Sequence, residues 1–204
     1  MTMSISRRAL LGGTAALGAL SIAGLPGAAA PRADHDAVNL VVRNAYVMTM
    51  EPGVGDLKDA DVQVRDGAII AVGQKLAAPG AMTIDGRDMI VLPGLVGADW
   101  RAWNLKAIWD RDNGDAERKL SARRVIALAT IEGARSMGIA DKVGSLKAGK
   151  RADLIMINTR AANLGAFGDP AVMLVTAVQP ANVDTVMVDG RILKGGRLAP
   201  PATT

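Results

Sequence analysis

Short apolar runs, separated by Gly, Pro and Asp, dominate residues 39–96. Their length and their Val and Ile content predict β-strands at 39–50, 61–64, 68–72, 82–85 and 89–92. Asp66-Gly67 stands between two of these runs and predicts a hairpin, because Gly tolerates the positive φ of a tight turn. The last two runs flank Asp85-Gly86-Arg87 and are expected to pair with each other.

The β pattern returns in residues 139–198, after one helical stretch. The run 152–158 is short and almost continuously apolar, which favours a buried strand. Asp189-Gly190 separates 183–188 from 192–193 and predicts a second hairpin. We interpret the two Asp-Gly turns as the same turn chemistry used twice, not as a sequence repeat.

The helical stretch is predicted at 120–138. Ser121 suits its N-cap, where the hydroxyl accepts a hydrogen bond from a free backbone N–H, and Gly138 suits its end. One side of the helix is mostly apolar at helical spacing and includes Val125, Leu128, Ala129 and Glu132. We therefore expect one amphipathic helix between two β halves.

The first thirty residues have the features of an export signal. Ser6-Arg7-Arg8-Ala9-Leu10-Leu11 resembles a twin-arginine motif, and a Gly- and Ala-rich stretch leads to Ala28-Ala29-Ala30. That stretch is too short for a transmembrane helix, so we expect a periplasmic or extracellular protein without stable membrane insertion. The alternative is a floppy N-terminus with a chance Arg-Arg pair. Residues 31–38 are predicted as a linker and 199–204 as a disordered tail.

The amino-acid composition excludes several classes of functional site. The chain has no cysteine, which excludes disulfides, thiolate metal sites and cysteine nucleophiles. Its single histidine, His35, lies in the predicted linker. The formal net charge is +4, and Arg7 and Arg8 of the predicted signal contribute to it. Because the remaining excess is small and shows no basic cluster with aromatic residues, we expect no nucleic-acid partner.

The most specific motif lies at 92–104, which runs Leu-Pro-Gly-Leu-Val-Gly-Ala-Asp-Trp-Arg-Ala-Trp-Asn. It resembles the start of the metal-binding barrel in the amidohydrolase superfamily, where Pro-Gly-Leu-Val leads into Asp-x-His-x-His. The positions of those two histidines are occupied here by Asp99 and Arg101. Three other segments resemble the cytosine deaminase and chlorohydrolase type of this superfamily: the helix 120–138, the loop 144–154 and the hairpin 183–191.

The resemblance implies a mainly β fold with one or two helices. In that family, the N- and C-terminal segments, here 39–96 and 139–198, form a small composite β-sandwich, and a (β/α)8 TIM barrel is inserted between them. A barrel needs roughly 250 residues, whereas 97–119 offers 23. We therefore expect the barrel to be absent, together with the zinc or other divalent metal that it would hold.

The segment 97–119 contains the remaining site candidates. Its acidic residues are expected to form a solvated loop, with a hard-cation site as the alternative: Asp99, Asp110, Asp112 and Asp115. Its tryptophans are expected to cover apolar surface, with an aromatic ligand cradle as the alternative: Trp100, Trp103 and Trp109. Ser121 has no histidine partner, so nucleophilic chemistry there would need a Lys base. We predict no catalytic, cofactor-binding or metal residue.

These observations predict an exported, non-catalytic remnant of a hydrolase that acts on non-peptide C–N bonds. The alternative is an active metal-dependent amidohydrolase or deaminase whose metal site differs from the family's. The face that a barrel would cover is expected to be apolar and to favour a homo-oligomer. An internal deletion from a longer gene stays open as the origin of the junction near 104–119.

Overall fold

The computed structural model describes residues 39–96, 121–165 and 168–200. The strands are β1 (Asn39–Met48), β2 (Asp56–Arg65), β3 (Ala68–Gly73), β4 (Met82–Asp85), β5 (Met89–Pro93), β6 (Leu154–Asn158), β7 (Val183–Val188), β8 (Arg191–Lys194) and β9 (Leu198–Ala199). The helices are α1 (Ala122–Ala129), α2 (Ile131–Ser136) and α3 (Pro170–Thr176), with a 3₁₀ turn at Pro180–Asn182. The mainly β class predicted from the sequence is confirmed.

Both halves of the chain contribute to one mixed sheet. The described strands follow the order β3-β2-β1-β5-β6-β7-β8, with β4 beside β1 and β9 beside β4. The halves meet where β5 pairs antiparallel with β6, from Met89 opposite Asn158 to Pro93 opposite Leu154. A strand pair far apart in sequence therefore joins the two halves into one sheet.

One predicted pairing is wrong, because β4 and β5 do not form a hairpin. Both run parallel to β1, β4 beside Leu40–Arg43 and β5 beside Tyr46–Val47. Between them the Gly86 N–H donates to the Arg43 carbonyl at 2.8 Å. A Cβ at Gly86 would lie 2.6 Å from that oxygen. At Gly86 the chain therefore continues parallel to β1 instead of reversing into a hairpin.

Two clusters of buried apolar side chains use opposite faces of the same strands. The first draws on both halves and includes Leu40, Val62, Val91, Met156 and Met187. The second joins the strands to the helices and includes Met48, Ile90, Ile126, Ile157 and Leu174. Successive strand side chains point to opposite faces, so β5 and β6 are buried on both. This explains the continuous apolar run of β6.

The two predicted Asp-Gly turns are both present, and they touch each other. All four residues have positive φ: 50° and 80° at Asp66-Gly67, and 52° and 75° at Asp189-Gly190. Ala152 lies between the turns, because its N–H donates to the Gly67 carbonyl at 2.8 Å and its carbonyl accepts from the Gly190 N–H at 3.1 Å. The hairpins at the two ends of the sheet are thus brought together.

The predicted helix is present but broken into α1 and α2. The Ser121 hydroxyl accepts from the backbone N–H three residues on at 3.2 Å, which confirms the N-cap. At Thr130 the backbone leaves helical geometry, with φ −123° and ψ −98°, and the hydroxyl donates to the Ile126 carbonyl at 2.7 Å. Within the described ranges, no helix is long and apolar enough to cross a membrane.

Candidate functional site

Most site candidates from the sequence lie outside the described residues. This applies to His35 and to the candidates of 97–119: Asp99, Trp100, Arg101, Trp103, Trp109, Asp110, Asp112 and Asp115. Among the residues that the structure does describe, no group of three or more His, Cys, Asp or Glu side chains could hold a metal ion. The strongest polar constellation lies elsewhere.

A buried polar network joins the end of β1 to the loop before β6. Lys150 Nζ donates to Ser145 Oγ at 2.6 Å and to the Val143 carbonyl at 3.3 Å. Ser145 Oγ donates to Glu51 Oε2 at 2.7 Å, and Lys147 Nζ donates to Glu51 Oε1 at 2.8 Å. The side chain of Lys150 is only 10% exposed, whereas that of Lys147 is 58% exposed.

Backbone hydrogen bonds fix the loop that carries this network. The Leu146 N–H donates to the Thr49 carbonyl at 2.7 Å, and the Gly149 N–H donates to the Ile69 carbonyl at 2.9 Å. The Ile69 N–H donates back to the Lys150 carbonyl at 2.8 Å. The side chains are therefore positioned by β3 and by the residue that directly follows β1.

A Ser hydroxyl beside a Lys amine can support nucleophilic catalysis without histidine. Here Lys150 donates its hydrogen bonds, and the Ser145 proton is directed to Glu51. Ser145 is also only 2% exposed, so a substrate carbonyl has no direct approach to it. We interpret the network as structural. Ser145, unlike Ser121, has no local sequence signal, because its contacts with Glu51 and Lys150 form only in the folded chain.

The pKa values of Glu51 and Lys150 are both lowered, by different causes. The hydrogen bond from Lys147, and then that from Ser145, lower the pKa of Glu51 against the opposing effect of burial. Burial lowers the pKa of Lys150, and the Glu51 charge only partly opposes this. The lowered pKa of Glu51 stabilises the fold above its usual titration range, and this contribution is lost as the pH falls through the folded-state pKa.

A second cluster ties α1 to the sheet. The Tyr46 hydroxyl donates to Asp56 Oδ2 at 2.8 Å, and Arg123 Nη1 donates to Asp56 Oδ1 at 3.0 Å. The second guanidinium nitrogen of Arg123 also bonds Asp56, which makes the pair bidentate. Burial and the Asp56 carboxylate raise the pKa of Tyr46 to about 12. The tyrosine therefore stays protonated well above its usual range.

We expect the phenolate absorbance of this protein to develop near pH 12 instead of near pH 10. Tyr46 is the only tyrosine, so an ultraviolet pH titration reports on it alone. Asp56→Asn should move the transition towards its usual range. The raised pKa stabilises the fold below pH 10, and this contribution disappears as the pH rises towards 12. A transition near pH 10 in the folded protein would contradict the assignment.

Two surface grooves carry charged side chains. One, of ≈ 540 Å³, lies beside Lys150 and Arg135. Another, of ≈ 410 Å³, is lined by Arg87, Arg160 and Arg197. Arg135 pairs with Glu132, Arg87 with Asp85, and Arg160 with Asp88. These charges are largely compensated, so neither groove defines a ligand class.

The two halves also meet where the segment 97–120 leaves and returns. The Val96 N–H donates to the Ala129 carbonyl at 2.7 Å, and the Gly94 N–H donates to the Asp153 carbonyl at 2.9 Å. Val96 thus lies at the end of α1, whose first turn follows Ser121. Val96 and Ser121, the described residues on either side of the segment 97–120, therefore lie at opposite ends of α1, a helix of eight residues.

The sequence profile of the amidohydrolase family matches residues 69–193, which is more than half of the chain. The chain belongs to the amidohydrolase family. The matched range runs from β3 into β8 and includes the loop with Ser145 and Lys150. Ser145, Lys147 and Lys150 therefore lie in the region that carries the family similarity, whereas their partner Glu51 lies outside it.

Curated amidohydrolase relatives are similar over short stretches. A 5-methylthioadenosine/S-adenosylhomocysteine deaminase of Moorella thermoacetica is 42% identical over 72 residues, which cover 35% of this chain and 17% of the relative. An S-triazine hydrolase of Gordonia rubripertincta is 38% identical over 79 residues, covering 39% and 17%. The chain thus spans less than a fifth of the length of these relatives.

Solved structures support the fold. A triazine hydrolase variant superposes with a TM-score of 0.68 at 13% identity, covering 81% of this chain and 96% of that chain. An adenosine deaminase from Xanthomonas campestris with bound zinc gives 0.63 at 12% identity, covering 78% and 94%. At such identities the similarity shows the fold alone.

The described residues do not fit the zinc that the family implies. Zinc is held by several Cys, His or carboxylate ligands that converge on one point. Residues 39–96, 121–165 and 168–200 contain neither Cys nor His, and their carboxylates form no three-ligand group. This part of the chain therefore offers no family-type metal centre.

Proposed function

We propose that this chain is an exported, non-catalytic amidohydrolase-type β domain without the family's barrel. The proposal rests on the segment 97–119, whose 23 residues are about a tenth of the roughly 250 that a barrel needs. Pairing between β5 and β6 supports it, because the two halves complete one sheet with each other. Export is proposed from the twin-arginine motif at Arg7-Arg8.

The chemistry of the family supports the same proposal. Metal-assisted hydrolysis requires a bound ion with an open position at which water is activated. The whole chain has one histidine and no cysteine, and Asp99 and Arg101 occupy the positions of the family's first two ligands. Restoring those two histidines would still leave the other barrel ligands missing.

The relatives favour a second candidate, a metal-dependent hydrolase of non-peptide C–N bonds. They are named as deaminases and as a triazine hydrolase. Under this candidate, the metal would have to bind a site unlike the family's. The carboxylates that the sequence offers for such a site are Asp99, Asp110, Asp112 and Asp115.

Metal content and turnover separate the two candidates. The purified full chain is incubated with zinc or manganese, dialysed, analysed for metal, and assayed for ammonia release from adenosine-type and triazine substrates. We expect substoichiometric metal and no turnover, also for the variant Asp99→His/Arg101→His. Stoichiometric metal together with turnover that Asp110→Asn/Asp112→Asn abolishes would overturn the proposal in favour of the second candidate. A triazine hydrolase of the family serves as the positive control.

We further propose that the protein self-associates through the face that a barrel would cover. Leu95, directly beside Val96, is 45% exposed, and Met137, after α2, is 58% exposed. A contiguous apolar face tends to bind a partner, and we expect Leu95 to belong to such a face. Light scattering should show a dimer or larger species at micromolar concentration. Leu95→Asp should shift it to monomer, unlike Leu193→Asp on β8, and a wild-type monomer would contradict the proposal.

A further inference from the structure

We propose that the N-terminal half (39–96) and the C-terminal half (from 121 onward) are specific non-covalent partners. Each half would hold the other without the peptide connection between them, and would accept the complementary half of a second copy. This interaction surface, the seam between the halves, goes beyond the proposed function. It holds whether or not the chain is catalytic.

Backbone hydrogen bonds join the two halves across the seam. β5 and β6 form five consecutive antiparallel residue pairs. The loop before β6 adds two backbone hydrogen bonds to β3. The Ile69 N–H donates to the Lys150 carbonyl at 2.8 Å, and the Gly149 N–H donates to the Ile69 carbonyl at 2.9 Å. Such groups are costly to leave unpaired when buried, so separated halves would expose strong hydrogen-bonding edges.

Charged side chains cross the same seam. Glu51 of the N-terminal half bonds Ser145 and Lys147 of the C-terminal half, and Asp56 bonds Arg123 of α1. The first core cluster also combines residues of both halves, including Val62 and Met156. The seam therefore combines charged and polar contacts with buried apolar side chains from both halves.

Contact between the hairpin turns makes the seam selective in shape. Gly67 belongs to the N-terminal half and Gly190 to the C-terminal half. A Cβ on Gly190 would lie 2.6 Å from Gly67 Cα, so only a residue without a side chain fits there. Correct pairing of the two halves thus requires Gly67 and Gly190 to come into contact. A strand in the wrong register, or one from another protein, would not bring the two turns together.

Cutting the folded full chain tests the proposal. A protease recognition sequence with flexible flanks is inserted after Asn113, and the folded protein is cleaved. We expect both pieces to co-elute at micromolar concentration with the mass and circular dichroism of the uncut protein. When two differently tagged cleaved preparations are mixed, hybrids carrying one piece of each should form. Pieces that separate or unfold while the uncut protein stays folded would overturn the proposal.

A matched pair of arginine variants separates a seam effect from a general loss of stability. Arg123 bonds Asp56 across the seam, whereas Arg87 bonds Asp85 within the N-terminal half. Arg123→Gln should raise the dissociation constant of the cleaved halves about fivefold, while Arg87→Gln should leave it unchanged. Equal effects of the two variants, or no effect of Arg123→Gln, would contradict the assigned seam.

Discussion

Replacing Gly190 by Ala is expected to lower the free energy of unfolding by about 4 kcal/mol. Two costs combine at this position. The residue has a φ of 75°, which L side chains rarely adopt. The new Cβ would also lie 2.6 Å from Gly67 Cα and 3.0 Å from Gly67 N, and these are backbone atoms that cannot rotate away. The contact between the two hairpins would therefore have to open.

Urea unfolding followed by circular dichroism measures this effect, with Gly80→Ala as the matched control. Gly80 has a similar φ of 69°, but a Cβ added there would meet no atom within 4 Å beyond its chain neighbours. The control should cost about 1 kcal/mol, from backbone conformation alone. Equal losses of unfolding free energy in the two variants would show that the two turns are not in close contact.

Lys150→Ala is expected to lower the free energy of unfolding by about 3 kcal/mol. The substitution removes a side chain that is only 10% exposed and leaves Ser145 Oγ and the Val143 carbonyl without their donor. Glu51 would lose the cation that lies 3.9 Å from Oε2. Because water has little access there, solvent cannot replace these contacts fully.

Lys147→Ala provides the control for this second effect. It removes the same charge from the same loop and from the same carboxylate, Glu51. The Lys147 side chain is 58% exposed, so water and salt screen its interaction, and the loss should stay below about 1 kcal/mol. Similar losses for the two lysines would mean that burial does not determine the strength of this network.

Local sequence signals predicted much of the fold. The Asp-Gly turns, the buried strand at 152–158 and the Ser121 cap depend on a few neighbouring residues, and each is present. The helix boundaries were also close, although the break at Thr130 was not expected. Its hydroxyl bonds the Ile126 carbonyl, a contact that helix propensity does not reveal.

Long-range features were not predicted, because strand order depends on contacts between distant segments. Asp85-Gly86-Arg87 has the composition of a hairpin turn, yet the sequence alone could not show that Arg43 lies beside Gly86. Ser145 and Lys150 likewise form a cluster only once Glu51 is folded against them. The alignment of Asp99 and Arg101 with the family's two metal-binding histidines rests on sequence resemblance and remains a prediction.

The contact of Val96 with the end of α1 has a consequence for engineering. Val96 lies beside Ala129 at one end of α1, and the chain resumes at Ser121 at the other end, so these two points are about 12 Å apart at 1.5 Å per helical residue. Many domains have surface termini that lie close together. The β domain should therefore serve as a host into which an unrelated guest, such as a reporter or a binding module, is grafted in place of 97–120.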